Sequence, residues 1–148
     1  MIMLADVDAT LNIGRELGAL LRPGDKLALS GTLGAGKTTL ARGILEGLGY
    51  EQEVPSPTFA IVQQYEPPET RIPVAHVDLY RIEDPEEIPE LGLEDSLVDG
   101  AMIVEWPDRL PDEFWNDALR IELEITGEGN RRLTWAAGSA WKDRWPTT

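Results

Sequence analysis

Three glycines, one lysine and three threonines fall within nine residues, in the segment GTLGAGKTT at positions 31–39. From Gly31 to Thr38 this segment matches the pattern G-x-x-x-x-G-K-[ST] at every fixed position. Glycines let consecutive backbone N–H groups turn into one concavity and let phosphate oxygens approach the chain closely. A helix that follows such a loop adds its positive N-terminal end. The segment is therefore predicted to bind the phosphates of a nucleotide.

Three side chains at the end of this segment have roles that their chemistry suggests. Lys37 is expected to reach the β- and γ-phosphates as a point charge. The Thr38 hydroxyl is the usual magnesium ligand at this position, and Thr39 is a candidate contact for the α-phosphate. The alternative interpretation is a chance glycine turn before a helix. Four matched positions between a predicted strand and a predicted helix make that alternative the weaker one.

Two carboxylates follow apolar runs that read as buried strands. Asp78 ends VAHVD and Glu105 ends AMIVE. In α/β sheets ligands gather at the carboxyl ends of the strands, and hydrolysis or transfer needs an acidic residue for the metal. Each carboxylate taken alone could also be a solvent-facing acid at a strand end. We expect at least one of them to serve the magnesium.

The periodicity of the chain predicts the elements that position these residues. A buried strand over 26–31 and a helix over 37–48, ended by Gly49, flank the glycine segment. The other predicted elements are a helix over 9–21 capped by Asp8, a short helix from Asp84, and strands over 59–65, 72–80, 101–106, 118–125 and 131–137. The fold class predicted is α/β, a single domain over 1–148 with a mixed central sheet, flanking helices and two antiparallel hairpins.

Composition narrows the classes of function. The 148 residues contain no cysteine, which excludes disulfides and thiolate metal sites, and the pattern of the N-terminus predicts no secretory signal. No apolar run approaches the roughly 18 residues of a membrane span, so we expect a cytoplasmic protein with no membrane contact. Thirteen basic against 27 acidic residues leave a net charge of −14, which repels nucleic-acid backbones. The acidic segments 84–95 and 111–117 are either a solvated face or a docking surface for a basic partner.

Four blocks of the sequence, taken together, resemble a known family. GTLGAGKTT, SPTF at 56–59, HVDLYR at 76–81 and VEWPDRL at 104–110 occur in the order and spacing typical of TsaE proteins, once called YjeE. These are small bacterial ATPases required for making threonylcarbamoyladenosine (t6A) in transfer RNA. The resemblance runs from about Thr10 to about Arg132 and implies a P-loop NTPase fold. Residues 139–148 have no clear counterpart and are expected to be a variable C-terminal tail.

The resemblance also implies roles for individual positions. Lys37, Asp78 and Glu105 would be the catalytic residues, and Ser56 and Thr58 would belong to a mobile switch segment. The implied magnesium-binding residues are Thr38, Glu105 and Asp78. The implied ATP-binding residues are Thr10, Gly34, Ala35, Gly36, Lys37, Thr38, Thr39, Trp106 and Arg131, with Arg132 as the alternative to Arg131. His76 and Trp106 are residue types that more often belong to a core than to a site.

Three functions remain open at this point, and the resemblance favours the first. It implies an ATPase that drives or resets a complex of the proteins TsaD and TsaB, with tRNA contacted only indirectly through that complex. No arginine finger is evident close to the glycine segment, so intrinsic hydrolysis should be slow. The alternatives are a small-molecule or nucleotide kinase, and a nucleotide-binding module without turnover. The scattered arginines and the acidic segment after Asp78 disfavour a kinase with an anionic acceptor.

Overall fold

The computed structural model describes residues 2–31, 36–51, 62–79, 92–107, 110, 112–126, 130–141 and 144–145. Its strands are β1 (Ile2–Leu4), β2 (Lys26–Gly31), β3 (Val62–Tyr65), β4 (Val74–Asp78), β5 (Ala101–Glu105), β6 (Leu119–Ile125) and β7 (Arg131–Ala137). Its helices are α1 (Val7–Leu20), α2 (Lys37–Gly47), α3 (Leu93–Ser96) and a 3-10 helix (Asp112–Trp115). The helix predicted from Asp84 and the first residues of the strand predicted over 59–65 lie outside the described residues.

The described strands form one sheet in the order β1-β7-β6-β2-β5-β4-β3. The four central strands β6, β2, β5 and β4 run parallel, whereas β7 and β3 pair antiparallel with β6 and β4. The predicted α/β class, the mixed sheet and both hairpins are therefore confirmed. Because the central strands are parallel, their carboxyl ends share one edge, which brings Gly31, Asp78 and Glu105 to the same side of the molecule.

Strand β1 was not predicted from the sequence. It has three residues and, among the described strands, pairs only with β7, opposite residues 131–133. A run this short carries no usable alternation, so only its partner strand defines it.

Helix α1 begins earlier than predicted. The structure starts the helix at Val7, and Asp6 is the N-cap: its carboxylate accepts the Ala9 N–H at 2.8 Å. The predicted cap, Asp8, is wrong, because it lies inside the first turn, where its charge favours the positive helix end. No described helix is both long enough and apolar enough to cross a membrane.

Helices α1 and α2 cover one face of the sheet and touch backbone to backbone. The contact is lined by glycines on both helices: Gly14, Gly18, Gly43 and Gly47. A Cβ atom added at Gly43 would lie 2.6 Å from the Leu11 carbonyl oxygen. On α2 and at its C-cap the predicted apolar positions Leu40, Ile44 and Leu48 are buried. The helix that carries Lys37 is therefore held from two sides.

The C-terminal segment packs against the domain. Trp141 and Trp145 are buried, 0% and 2% exposed, in the core beneath the two helices. Between them Arg144 donates to both carboxylate oxygens of Asp25 at 3.0 and 2.8 Å. This tryptophan–arginine segment fastens the chain end to the turn that precedes β2. Sequence reasoning found no role for these residues.

Candidate functional site

The site begins where α2 starts. Gly36 has φ +108°, in the left-handed region that favours glycine, and it forms the N-cap of the helix. The first helical hydrogen bond runs from Leu40 N to Gly36 O at 2.9 Å. No side chain of the described residues caps this helix start. The N–H groups of the first turn have no acceptor within the helix. This helix start lies beside Gly31, at the edge where the central strands end.

Lys37 is buried at this helix start, with 5% of its surface exposed. Its Nζ donates to the Gly31 carbonyl and lies 4.1 Å from the centre of the Trp106 ring. Burial lowers the pKa of Lys37, and the charges of Glu105 and Asp78 act in the opposite direction. A desolvated ammonium is thereby placed within electrostatic reach of two carboxylates.

The two carboxylates lie side by side at the ends of neighbouring strands. In the parallel pairing of β4 with β5, Asp78 stands opposite Glu105. On the other side of β5, in its pairing with β2, Leu29 stands opposite Glu105. Glu105 is buried, 3% exposed, whereas Asp78 is partly accessible. The structure thus brings both carboxylates to one edge of the sheet.

The structure places His76 in the interior, as its residue type suggested, and gives it a specific partner. It is fully buried, and its Nε2 lies 2.7 Å from Oε2 of Glu105, on the next strand. His76 and Asp78 share a face of β4, because alternate residues of a strand point to the same side. The partner of His76 was not foreseen, because it comes from a segment far away in the chain.

Trp106 follows Glu105 directly and has an unusual backbone. Its φ of 62° lies in the left-handed region, where residues other than glycine are uncommon. Its N–H donates to the Leu29 carbonyl at 3.3 Å. This turn at the end of β5 brings the indole to Lys37.

The remaining predicted residues are distributed around this edge. Thr38 and Thr39 are half-buried in the first turn of α2. Thr10 is buried in α1, with its hydroxyl 3.4 Å from the Asp6 carbonyl, a contact within its own helix. The other four predicted residues lie outside the described ranges: Gly34, Ala35, Ser56 and Thr58.

The two arginines at the start of β7 occupy opposite faces of the sheet, as alternation requires. Arg132 donates to Glu124 at 2.6 Å, and this hydrogen bond lowers the pKa of the Glu124 carboxyl. Arg131 shares its face with the buried Leu133, on the side that α1 and α2 cover. Arg131 therefore lies on the helix side of the sheet, whereas Arg132 is engaged with a carboxylate on the opposite side.

A cleft of about 500 Å³ opens beside these groups, within the size range of small-molecule sites. It is lined by Ser30, Gly31, Trp106 and residues 122–125. A second cleft, of about 400 Å³, lies at the opposite edge of the sheet next to Glu66, Asp95 and Asp99. That second cleft contains none of the predicted site residues.

The arrangement suits a phosphate ester with a divalent cation. Among the described residues there is no group of three or more His, Asp or Glu side chains that could hold a metal by themselves. Mg²⁺ does not require such a cage, since it commonly binds one or two carboxylates together with phosphate oxygens and water. Thr38, Asp78 and Glu105 fit that demand, and the open helix start with Lys37 fits the phosphates. Fold and site together define a mixed α/β domain of the phosphate-loop class.

Comparison with known proteins identifies the family. The model of the family described as "Threonylcarbamoyl adenosine biosynthesis protein TsaE" matches residues 4–133. The chain belongs to the TsaE family, as the four sequence blocks indicated. The match covers β2 to β6 in full and reaches into β1 and β7.

Individual relatives agree with this assignment. The protein of Nostoc sp. strain PCC 7120 named tRNA threonylcarbamoyladenosine biosynthesis protein TsaE is 44% identical over 88% of this chain and 82% of its own length. The protein of the same name from Bacillus subtilis strain 168 is 37% identical over 88% of this chain and 80% of its own. The crystal structure of Bacillus subtilis YdiB superimposes with a TM-score of 0.74 at 30% identity, covering 95% of this chain and 87% of that one.

Proposed function

We propose that this chain is an ATPase that binds Mg-ATP and hydrolyses it slowly in the biosynthesis of t6A in tRNA, acting on a complex of TsaD and TsaB. The strongest support for this proposal is the position of Lys37. The buried Lys37 ammonium stands at an uncapped helix start, within electrostatic reach of Glu105 and Asp78. The names of the relatives support the pathway, and the resemblance of the motifs supports the nucleotide and the partners.

The residues divide the work by chemistry. The N–H groups of the first turn of α2 and the Lys37 ammonium bind the phosphate oxygens. The Thr38 hydroxyl and the carboxylates of Asp78 and Glu105 hold the magnesium ion, which neutralises charge that develops on the phosphates. Trp106 lines the cleft beside Lys37. In this arrangement the protein positions groups and stabilises charge, and no covalent intermediate with the chain is needed.

We expect slow hydrolysis because no arginine finger is evident in the sequence close to the glycine segment. The arginines nearest to the glycine segment in sequence are Arg22 before β2 and Arg42 within α2. Phosphoryl transfer by related phosphate loops is accelerated about 10³- to 10⁵-fold when an arginine finger is supplied. We therefore expect TsaB and TsaD to stimulate hydrolysis by completing the site.

The charge of the chain favours contact with tRNA through these partners. With a net charge of −14 the surface repels a phosphate backbone at long range. If a partner complex holds the tRNA, this chain does not need to bind the tRNA backbone itself. This indirect arrangement is what the proposal assigns to TsaB and TsaD.

Calorimetry with purified protein and Mg-ATP tests nucleotide binding. The Lys37→Ala variant should bind about 10- to 100-fold more weakly, because a hydrogen-bonded charge pair with phosphate contributes about 1.5–3 kcal/mol. Lys26→Ala is the matched control: Lys26 begins β2, at the end away from the glycine segment, and donates to the Phe114 carbonyl at 2.8 Å. Equal affinity in the two variants would contradict the proposed phosphate site.

Phosphate release tests hydrolysis and the role of the carboxylates. Asp78→Asn and Glu105→Gln should each lower the rate of ATP hydrolysis measured with TsaB and TsaD present. Turnover at the parent level in both variants would show that the metal-site assignment is wrong. Rapid hydrolysis by the isolated chain, unchanged by the partners, would count against the proposed coupling to TsaB and TsaD.

A further inference from the structure

The contact between His76 and Glu105 has a chemistry that the proposed phosphate site does not use. His76 is the only histidine in the chain, and it is completely buried. Its Nε2 lies 2.7 Å from Oε2 of Glu105, and its Nδ1 has no hydrogen-bond partner among the described residues. Because a carboxylate oxygen accepts, the imidazole hydrogen belongs on Nε2, and the bare Nδ1 fits that tautomer.

A purely structural role would not require a histidine at this place. Val74 precedes His76 on the same face of β4, and Ile103 stands opposite it on β5; both are apolar and buried. An apolar side chain would continue that surface without leaving a buried nitrogen unpartnered, which is unfavourable. Packing alone therefore does not explain the imidazole. Its one described hydrogen-bond contact is with Glu105.

The effect of this contact on Glu105 is directional. A glutamate side chain has three rotatable bonds, and a donor on one oxygen holds the carboxylate in one orientation. Residues that orient metal-binding side chains in this way commonly influence metal affinity about 10- to 100-fold. Glu105 also stands beside Asp78 in the sheet register, so its orientation determines how the two carboxylates act together.

We propose that His76 is a positioning residue for Glu105. By donating from Nε2 to Oε2, it holds the carboxylate in the orientation in which Glu105 serves the magnesium of bound Mg-ATP. No bond is made or broken at His76, and no proton needs to leave it. This inference rests on the proposed function, since it specifies how one residue of the proposed metal site is oriented.

Two substitutions of similar polarity separate the hydrogen bond from burial. In His76→Gln the amide nitrogen reaches about as far as Nε2 and can donate to Glu105. In His76→Asn the side chain is one methylene shorter and cannot. Both variants and the parent are titrated with Mg²⁺ at saturating ATP by calorimetry, and with ATP in the presence of a chelator. Folding is checked by circular dichroism and cooperative thermal unfolding.

The expected result is an apparent Mg²⁺ affinity about 10- to 100-fold weaker in His76→Asn, with His76→Gln close to the parent. Metal-free ATP binding should be the same in all three proteins. In a Glu105→Ala background, His76→Asn should cause no further loss, because the residue it positions is gone. If His76→Asn does not unfold cooperatively, His76→Phe takes its place, since it fills the volume without a donor.

Each other outcome overturns the inference. Parent-like Mg²⁺ affinity in His76→Asn would show that the contact does not matter for the metal. Equal weakening in His76→Gln, or a loss that persists without Glu105, would show that the effect does not act through this hydrogen bond. A parent protein that binds no Mg-ATP contradicts the proposed function itself, and the parent titration distinguishes that case from a failure of the positioning role alone.

Discussion

The ammonium of Lys37 stands 4.1 Å from the centre of the Trp106 ring. This pair joins the start of α2 to the residue that follows β5, two places that are distant in sequence. A cation over an aromatic face contributes about 0.5–2 kcal/mol, depending on desolvation. In the proposed function the same ammonium binds phosphate, so nucleotide binding should alter the surroundings of the indole.

Intrinsic fluorescence should therefore report Mg-ATP binding through Trp106. The chain has five tryptophans, and Trp115, Trp141 and Trp145 are buried in the cores. We expect Trp106→Phe to abolish most of the fluorescence change on adding Mg-ATP, measured at matched protein concentration. The control Trp135→Phe alters a tryptophan that packs against Trp145 and should keep the change. A full signal in Trp106→Phe would contradict the contact as a reporter.

The close contact of α1 with α2 should be sensitive to a single methyl group. Gly43→Ala places a Cβ atom 2.6 Å from the Leu11 carbonyl oxygen and 3.1 Å from the Gly14 Cα. Backbone atoms cannot move away cheaply, so overpacking should lower the free energy of unfolding by about 1–3 kcal/mol, even though alanine favours helix. Urea unfolding measures the difference.

Glu46→Ala is the control on the same helix. Glu46 is exposed and pairs with Arg15 at 3.3 Å across the helix contact. A surface pair of this kind contributes at most about 1 kcal/mol, so this variant should stay close to the parent. If Gly43→Ala is as stable as Glu46→Ala, the two helices can move apart to admit the methyl group without a measurable loss in the free energy of unfolding.

The C-terminal segment should contribute strongly to stability through Arg144. Its pair with Asp25 is buried, with the two side chains 14% and 7% exposed. Removing one partner leaves the other charge buried, which typically costs about 3–5 kcal/mol. We expect Arg144→Ala to lower the unfolding free energy by that order, and Arg144→Lys to recover part of it.

Arg132→Ala provides the matched comparison for Arg144. In the ion pair of Arg132 with Glu124 the two side chains are 39% and 42% exposed. Removing Arg132 should therefore lower the free energy of unfolding far less. Thermal unfolding of the two alanine variants compares them directly. If Arg144→Ala were no less stable than Arg132→Ala, the C-terminal segment would not be fastened by its ion pair with Asp25.

Alkaline pH should weaken the fold partly through Tyr65. Burial raises the pKa of this phenol, and the neighbouring Tyr50 raises it further; their rings are 4.8 Å apart. The folded state thus retains a proton that the unfolded chain loses near pH 10. The stabilising contribution is complete below about pH 10 and is lost as pH rises through the raised pKa in the folded state.

Tyr65→Phe removes this titration and tests its sign. The unfolding free energy of the variant should fall less steeply above about pH 10 than that of the parent, measured by urea unfolding at a series of pH values. Parallel alkaline profiles would show that Tyr65 ionises equally in both states.

Local patterns carried most of the prediction of the fold. The alternation in ALRIELEI predicted β6, and Leu40, Ile44 and Leu48 predicted the buried stripe of α2, because these periods reflect contacts along one element. The start of α1 was wrong by two residues, since Asp6 and Asp8 are both acceptable caps by type and the structure shows Asp6 accepting the Ala9 N–H. Strand β1 was missed because a three-residue edge strand is defined by its partner.

The sequence by itself determined that a glycine-rich segment with the phosphate-loop pattern lies between a strand and a helix, and that Asp78 and Glu105 end buried strands. These features depend on residue types and short spacings, which are local. Only the tertiary structure decided that His76 contacts Glu105, that Trp106 covers Lys37 and that Arg144 fastens the chain end to Asp25. Such pairs depend on strand order and register, and the free energy that selects those comes from burying the whole sheet and its helices at once.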